Sequence, residues 1–216
     1  MRAADWATIA SLATAAGTLV LAVATFSSVR SANRAARTAE RALQAGLRPV
    51  LFPSNPQDRP QKIRWVDNHW ATVEGGRANI EELDGVIYLA ASVRNVGAGI
   101  AVILGWRAVP EPEDPSLALN RPDPSEFRPQ TRDLYVPPGD ISFWQGAIRE
   151  PDHPERAAVL EAVRARQPLT VDLLYGDQEG GQRIISRFSM RPREGQGTDW
   201  LCIVVRHWNL DRHDPR

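Results

Sequence analysis

The 216-residue chain carries 26 basic and 26 acidic residues, so its formal net charge at pH 7 is zero. Proteins that bind nucleic acid without sequence preference usually carry a basic excess, so no nucleic acid partner is expected. The single cysteine, Cys202, cannot form an internal disulfide, which favours a reducing compartment over secretion. Its apolar neighbours predict that Cys202 is a buried, small hydrophobic residue.

The first predicted element is a membrane-spanning helix at residues 6–29, which follows a short N-terminal tail at residues 1–5. Residues 6–29 contain no charged side chain, and one Asp, Lys or Arg at the centre of a span would cost about 2.5–3.5 kcal/mol. A helix of this length extends about 36 Å, which exceeds a hydrocarbon core of about 30 Å. The sequence therefore predicts a single-pass anchor in the lipid bilayer.

A signal peptide and a buried helix are the two alternatives to an anchor for this apolar segment. Ala22-Val23-Ala24 matches the A-x-A cleavage site of a signal peptide, and a buried helix of a soluble protein would also be apolar. However, most of the nearby basic residues follow the segment, and it is long for the apolar region of a signal peptide. These two observations favour the anchor.

A basic, alanine-rich juxtamembrane helix is predicted at residues 30–46, directly after the span, and Gly46 followed by Pro49 would end it. Four of its arginines share one face, because they follow the spacing i, i+4, i+7, i+11: Arg30, Arg34, Arg37 and Arg41. Since positive residues stay on the cytoplasmic side, we expect an outside N-terminus and a cytoplasmic body at the inner (plasma) membrane. These arginines would contact anionic lipid head groups, and a merely solvated basic face is the equal alternative.

Small residues form a second pattern within the span. They fall on one stripe of the helix, at Ala10, Ala13, Gly17 and Ala24. Small side chains let two membrane helices approach closely, so the stripe is compatible with a homodimer or with a partner in a membrane complex. Alanine-rich spans also produce such stripes by chance.

Residues 47–210 are predicted to form a mainly β domain, specifically an antiparallel immunoglobulin-like β-sandwich with one short helix. A C-terminal tail at residues 211–216 would follow. Alternating apolar residues and turn signals predict strands at residues 48–53, 62–66, 69–73, 86–96, 100–109, 131–136, 141–148, 169–175, 183–190 and 200–208. The helix is predicted at residues 156–166, and a proline-rich loop at residues 110–129 is expected to be exposed and mobile.

The order of these segments resembles a group of small actinobacterial single-pass membrane proteins of unknown function. The similarity rests on the apolar span, the Arg/Ala-rich helix and the strand that opens with Arg48-Pro49. The segment Arg94–Ala101 also resembles the N-x-G-x-G-x-A turn of many tethered bacterial sandwiches. The resemblance implies this architecture and carries no activity with it.

No catalytic motif is recognised, so neither an enzyme activity nor a cofactor is expected. Asn95, Gly97 and Gly99 precede a strand instead of a helix, which favours a tight turn over a phosphate-binding loop. The acidic run Glu81-Glu82, with Asp84, is interpreted as a solvated turn.

No metal site is expected either. His69 with Asp67, and His207 with Asp211 and His213, are the residues that could act as ligands. Their spacings match no standard metal-binding pattern.

Two tryptophans and a histidine give the best candidate for a binding surface. Trp65 and Trp70 bracket a polar turn that contains His69. We expect Trp65 and Trp70 to be exposed and to form, with His69, a patch for a ligand or partner. The alternative is burial, since most tryptophans of a β domain anchor its core.

These features predict a membrane-anchored protein whose cytosolic domain acts as an interaction or ligand-sensing module. Anchoring would raise the effective concentration of the domain for partners at the same membrane. A scaffold or accessory subunit of a membrane complex is the first alternative. An enzyme whose site is assembled from separate strands is the second.

Overall fold

The computed structural model describes residues 3–114, 116–195 and 197–214. Residues 1–2 and 215–216 of the predicted tails, and Pro115 of the proline-rich segment, lie outside the described residues. The chain divides into two compact units, with the boundary between Gly46 and Leu47.

The first unit is one continuous α-helix, α1 (Ala3–Gly46), which contains both the predicted span and the predicted basic helix. Its segment Ile9–Glu40 is long and apolar enough to cross a membrane, judged by length and composition. Hydroxyl groups within the span bond back to the main chain: Thr14 Oγ1 donates to Ala10 O and Thr18 Oγ1 to Thr14 O, both at 2.9 Å. These hydroxyls are therefore satisfied without water.

The second unit contains eleven strands within the described residues. They are β1 (Leu51–Pro53), β2 (Gln61–Arg64), β3 (Trp70–Val73), β4 (Arg77–Leu83), β5 (Val86–Asn95), β6 (Ala101–Pro110), β7 (Arg128–Val136), β8 (Ile141–Ile148), β9 (Leu169–Gly176), β10 (Arg183–Pro192) and β11 (Asp199–Asn209). One α-helix, α2 (Arg156–Arg164), lies between β8 and β9, and two short 3₁₀ turns (Leu117–Leu119 and Pro124–Glu126) lie between β6 and β7.

Nine of these strands form a single curled antiparallel sheet. Its order is β1-β5-β4-β11-β10-β9-β6-β7, and β8 pairs with β5. The strands β2 and β3 form a separate antiparallel hairpin. The prediction of a mainly β, antiparallel domain is therefore confirmed.

Strand β5 lies between two apolar layers, which explains why most of its residues are buried. Ile87 and Leu89 belong to the main core inside the curled sheet. Tyr88 and Ala90, on the opposite face, pack in a second cluster beneath the β2–β3 hairpin. A strand covered on both faces reads as a nearly continuous apolar run, as the sequence of β5 does.

Strand β4 was not predicted, and the interpretation of Glu81 and Glu82 as a solvated turn is wrong. Both residues lie within β4, and only Asp84 belongs to the turn that follows. Both side chains are only partly exposed, and each carboxylate contacts a side chain from another element. Glu81 pairs with His69 at 2.8 Å, and Glu82 pairs with Arg164 at 3.1 Å.

The proline-rich segment is docked on the domain and is not simply an exposed loop. Arg187 Nη1 donates to the carbonyl oxygens of Ala118 at 2.8 Å and Asn120 at 3.2 Å. Phe127 packs against a small cluster that includes Trp208. The segment therefore covers part of the outer face of the sheet, which explains why every residue of β9 is buried.

The Asn95–Gly99 segment forms the predicted tight turn, between β5 and β6. The buried side chain of Asn95 accepts from Gly97 N at 3.0 Å and donates to Gly99 O at 2.6 Å. A Cβ atom at Gly97 or Gly99 would clash with the main-chain carbonyl oxygens of Arg48 and Leu47. Glycine is thus required by close backbone approach and not by a ligand.

Candidate functional site

The turn between β2 and β3 is a compact loop closed by main-chain hydrogen bonds. Trp65 N donates to His69 O at 3.0 Å, and Asn68 N donates to Trp65 O at 3.2 Å. Asn68 adopts a φ of 65°, a left-handed conformation that asparagine tolerates better than most residues. The turn places alternate side chains on opposite faces of the hairpin.

The inner face of the hairpin is anchored by Trp65 and His69. Trp65 is only 3% exposed and its indole N–H donates to Gly146 O at 3.0 Å. The His69 ring stacks on Tyr88 with a centroid distance of 4.1 Å, and its Nε2 lies 2.8 Å from Glu81 Oε1. The expectation that Trp65 is exposed is therefore wrong, because β2 directs this side chain towards the main sheet.

Asp67 connects the turn to the main sheet through hydrogen bonds and an ion pair. Its carboxylate accepts hydrogen bonds from the Tyr88 hydroxyl at 2.7 Å and from Arg149 Nη2 at 2.8 Å. Burial alone would raise the pKa of Asp67, but these bonds and one from His69 N outweigh it and lower the pKa to about 2. Burial, reinforced by the bond to Asp67, raises the pKa of Tyr88 to about 12. Asp67 is thus charged and Tyr88 protonated at neutral pH.

The outer face carries an exposed apolar and basic surface, which we term the hairpin patch: Arg64, Val66 and Trp70. Val66 is 88% exposed and Trp70 is 59% exposed. The Arg64 guanidinium lies 5.6 Å from the centroid of the Trp70 ring, and it also donates to Asn68 Oδ1 at 2.6 Å. Aromatic and arginine side chains of this kind are enriched at the centres of protein interfaces.

The structure therefore separates the three residues that the sequence grouped together. Trp65 and His69 hold the hairpin in place, whereas Trp70 faces outwards with Val66 and Arg64. Sequence reasoning missed Tyr88 and Arg149, because both reach the turn from distant parts of the chain. No local motif connects them to Asp67.

The predicted membrane-facing residues lie along α1. Arg30, Arg34 and Arg37 are exposed, and the side chain of Arg41 lies outside the part of the helix that is described. The small residues Ala10, Ala13, Gly17 and Ala24 are also exposed. Their roles in contacting lipid or a second helix stay predictions.

A buried hydrogen-bond chain near the start of β1 brings a serine and a histidine together. Leu51 N donates to the Tyr175 hydroxyl at 3.1 Å, and Tyr175 bonds to Ser186 Oγ at 2.8 Å. Ser186 Oγ lies 2.6 Å from His207 Nδ1. Ser186 is 0% exposed and its hydroxyl is already bonded to both Tyr175 and His207, so these hydrogen bonds serve the fold.

The structure also shows the surroundings of Cys202 and of the residues that could act as metal ligands. Within the described ranges, no group of three or more His, Cys, Asp or Glu side chains could hold a metal ion. Asp211 instead pairs with Arg48 at 2.5 Å, and His213 O accepts from Asn209 Nδ2 at 2.8 Å. Cys202 is buried, as predicted, and burial raises the pKa of its thiol to about 12.

Comparisons with protein-family models, with curated proteins and with solved structures find no match for this chain.

Proposed function

We propose that this protein is a single-pass membrane protein whose β domain, on the cytoplasmic side of the inner membrane, binds a partner through the hairpin patch. The observation that carries the proposal is the combination of a long apolar helix and a separate, well-packed unit that exposes Val66 and Trp70. Apolar side chains that are exposed next to one another on a folded domain mark sites of interaction with a partner.

In this proposal α1 holds the protein at the membrane, and the hairpin patch determines which partner it binds. Arg30, Arg34 and Arg37 follow the apolar part of α1, which is the arrangement expected on the cytoplasmic side of a span. An immunoglobulin-like arrangement of the β domain is part of the same proposal. It is supported by the antiparallel pairing and by the core enclosed within the curled sheet.

A scaffold subunit held in a complex through α1 is the second candidate. The exposed small residues Ala10, Ala13 and Gly17 favour it, since they would allow another helix to approach closely. Crosslinks from α1 alone would support the scaffold, whereas crosslinks from the hairpin would support the interaction module.

The test places a photo-crosslinking amino acid at Val66 of the full-length protein in membranes of the native host. A control protein carries it at Glu179, which is exposed in the β9–β10 turn. We expect a discrete adduct from position 66 and none from position 179. Equal adducts from both positions, or none from position 66, would contradict the proposal.

The Trp70→Ala variant supplies a matched control for folding. It should remove the adduct at position 66 while it changes the free energy of unfolding by less than about 0.5 kcal/mol, since Trp70 lies mostly in solvent. By contrast, Trp65→Ala should destabilise the domain by about 3–5 kcal/mol, because Trp65 is buried. Loss of the adduct without loss of stability assigns the effect to the patch.

A further inference from the structure

A small pocket lies between β7 and β8, next to the hairpin. Its volume is about 90 Å³. The two indole rings of Trp65 and Trp106 line it together with the polar side chains of Arg128, Gln130 and Gln145. A volume of this size corresponds to about three water molecules at ~30 Å³ each, which suits one small planar group.

The pocket exists because β7 and β8 follow each other in sequence without pairing within the described sheet. At the turn that joins them, Asn95 bonds to both strand ends: its side chain donates to Val136 O at 2.9 Å, and its main-chain N donates to Asp140 O at 3.2 Å. Asn95 of β5 thus holds both strand ends at the turn.

A bulge in β7 forms the other end of the pocket. The register of β6 and β7 passes from Ile103↔Leu134 to Gly105↔Pro129, so residues 130–133 stand opposite a single residue of β6. Gln130, in this bulge, reaches across the gap and its Nε2 donates to Gln145 O at 3.1 Å. A side-chain hydrogen bond thus connects β7 and β8 here, in place of the main-chain hydrogen bonds of paired strands.

Three side chains that line the pocket each have a buried polar atom without a hydrogen-bond partner in the described part of the chain: Arg128 Nη1, Gln130 Oε1 and Gln145 Oε1. Gln145 is only 7% exposed. Buried polar groups without partners are rare in folded proteins and mark places where a ligand or water completes the bonding.

The charges around the pocket are already balanced. Arg128 pairs with Glu150 at 2.5 Å, and Arg149 pairs with Asp67 at 2.8 Å. The Arg128 guanidinium also lies 5.1 Å from the centroid of the Trp106 ring, which fixes its position. A charged ligand would therefore find no unpaired opposite charge, and a neutral ligand is favoured.

From these features we infer that the pocket binds an uncharged carboxamide group. The NH₂ of such a group donates to the glutamine oxygens, and its carbonyl accepts from Arg128. A carboxylate would face two amide oxygens without a proton to donate, and an ammonium group would face a guanidinium. The planar amide would lie in the pocket that the Trp65 and Trp106 indole rings line.

The amide has two possible sources, a free small solute or an Asn or Gln side chain of a partner. Val66 belongs both to the pocket lining and to the hairpin patch, so a partner on the patch could insert such a side chain. The inference does not depend on the proposed function, because a free amide would bind without any partner.

The test uses full-length protein in lipid nanodiscs with ¹⁵N-labelled tryptophan, so that the seven indole N–H signals report binding directly. We expect acetamide to shift the Trp65 and Trp106 signals saturably, with a dissociation constant on the order of millimolar, and to leave Trp200, on the distant strand β11, unchanged. Acetate and methyl acetate, which lack the N–H donors, should bind at least about tenfold more weakly.

A second titration separates the two sources. Glutamine blocked at both ends is compared with glutamate blocked in the same way, which controls for the main-chain amides. Tighter binding of blocked glutamine than of acetamide assigns the pocket to a partner side chain, and the reverse order assigns it to a small solute. Either order supports the inference.

Two variants connect the binding to the pocket. Gln145→Met keeps the shape of the side chain and removes the amide, so acetamide should bind about tenfold more weakly. Gln130→Met gives the same test from the opposite strand if Gln145→Met fails to fold. Gln178→Met, at an exposed turn, is the matched control and should bind like the wild type.

The inference is overturned if acetamide produces no saturable shift, which would mean that water alone occupies the pocket. It is equally overturned if methyl acetate binds as well as acetamide, or if the Gln145 and Gln130 variants bind like the wild type. A failure of the hairpin crosslink with intact acetamide binding would contradict the proposed function only.

Discussion

Asp67 connects the turn of the hairpin to two other parts of the domain through hydrogen bonds with Tyr88 and Arg149. Its folded-state pKa, about 2, lies below the ordinary value of 3.8. A carboxylate with a depressed pKa stabilises the folded state above its unfolded pKa, and the stabilisation is lost as the pH falls towards the folded value.

We therefore predict that Asp67→Asn destabilises the domain at neutral pH, and that this difference shrinks between ~pH 4 and ~pH 2. Urea denaturation of both proteins across this range measures it. Asn68→Ala changes the same turn without a titrating group, so its effect should not vary with pH. A pH-independent effect of Asp67→Asn would mean that the carboxylate charge does not hold the turn.

Tyr175 is the centre of the buried hydrogen-bond chain, and burial raises its pKa to about 12, so its hydroxyl stays protonated. Tyr175→Phe should lower the free energy of unfolding by about 1–3 kcal/mol, since Leu51 N loses its partner in the core. Tyr135→Phe removes an exposed hydroxyl and should change the stability by less than about 0.5 kcal/mol. If the two variants lowered the free energy of unfolding equally in chemical denaturation, the hydrogen-bond chain through Tyr175 would not stabilise the fold.

At the scale of elements, a buried arginine is one of the residues that hold the proline-rich segment on the domain. Arg187 forms a bidentate pair with Asp172, which is 0% exposed, at 2.7 and 2.8 Å. The same guanidinium binds the carbonyl oxygens of Ala118 and Asn120. One side chain thus couples the outer face of the sheet to the segment that covers it.

We predict that Arg187→Met destabilises the domain by about 3–5 kcal/mol, because it leaves the buried Asp172 carboxylate without its main partner. It should also speed protease cleavage within residues 110–129. Arg164→Met removes an exposed pair with Glu82 and should cost about 0–1 kcal/mol without affecting cleavage. Unchanged cleavage in Arg187→Met would show that the segment is docked by other contacts.

The sequence predicts elements well where the pattern is local. The bounds of β8 are predicted to the residue, and those of β5 to within one residue, because both are mainly apolar runs bounded by polar residues and turn signals. Strand β4 was missed because only Ala78 and Ile80 mark its inner face. Its glutamates contact His69 and Arg164, which belong to other elements, and a local pattern does not contain that information.

The absence of long-range contacts from a local sequence pattern also explains why the expected exposure of Trp65 is wrong. Trp65 and Trp70 have similar neighbours in sequence, and the polar turn between them suggests exposure for both. The difference arises from the second layer, because the face with Trp65 meets Tyr88 while the face with Trp70 meets solvent. The pocket between β7 and β8 could not be predicted either, since it results from strands that do not pair.

At the scale of the whole molecule, the chain combines a helix that exposes apolar side chains with a unit that buries them. Leu19, Leu21 and Phe26 are each more than 60% exposed. In water this exposure is unfavourable by roughly 1.5–3 kcal/mol for each large side chain, whereas in hydrocarbon it is not. This exposure supports the central proposal that α1 spans a membrane, and the arginines that follow the apolar segment are the reason for proposing that the β domain is cytoplasmic.

The most direct test is labelling of single engineered cysteines in intact cells with a membrane-impermeant maleimide. Native Cys202 gives little background because it is buried and its thiol pKa is raised to about 12. We predict that Ala3→Cys is labelled in intact cells and that Glu179→Cys is labelled only after the membrane is permeabilised. Labelling of Glu179→Cys in intact cells, or recovery of the protein in the soluble fraction, would contradict the claim.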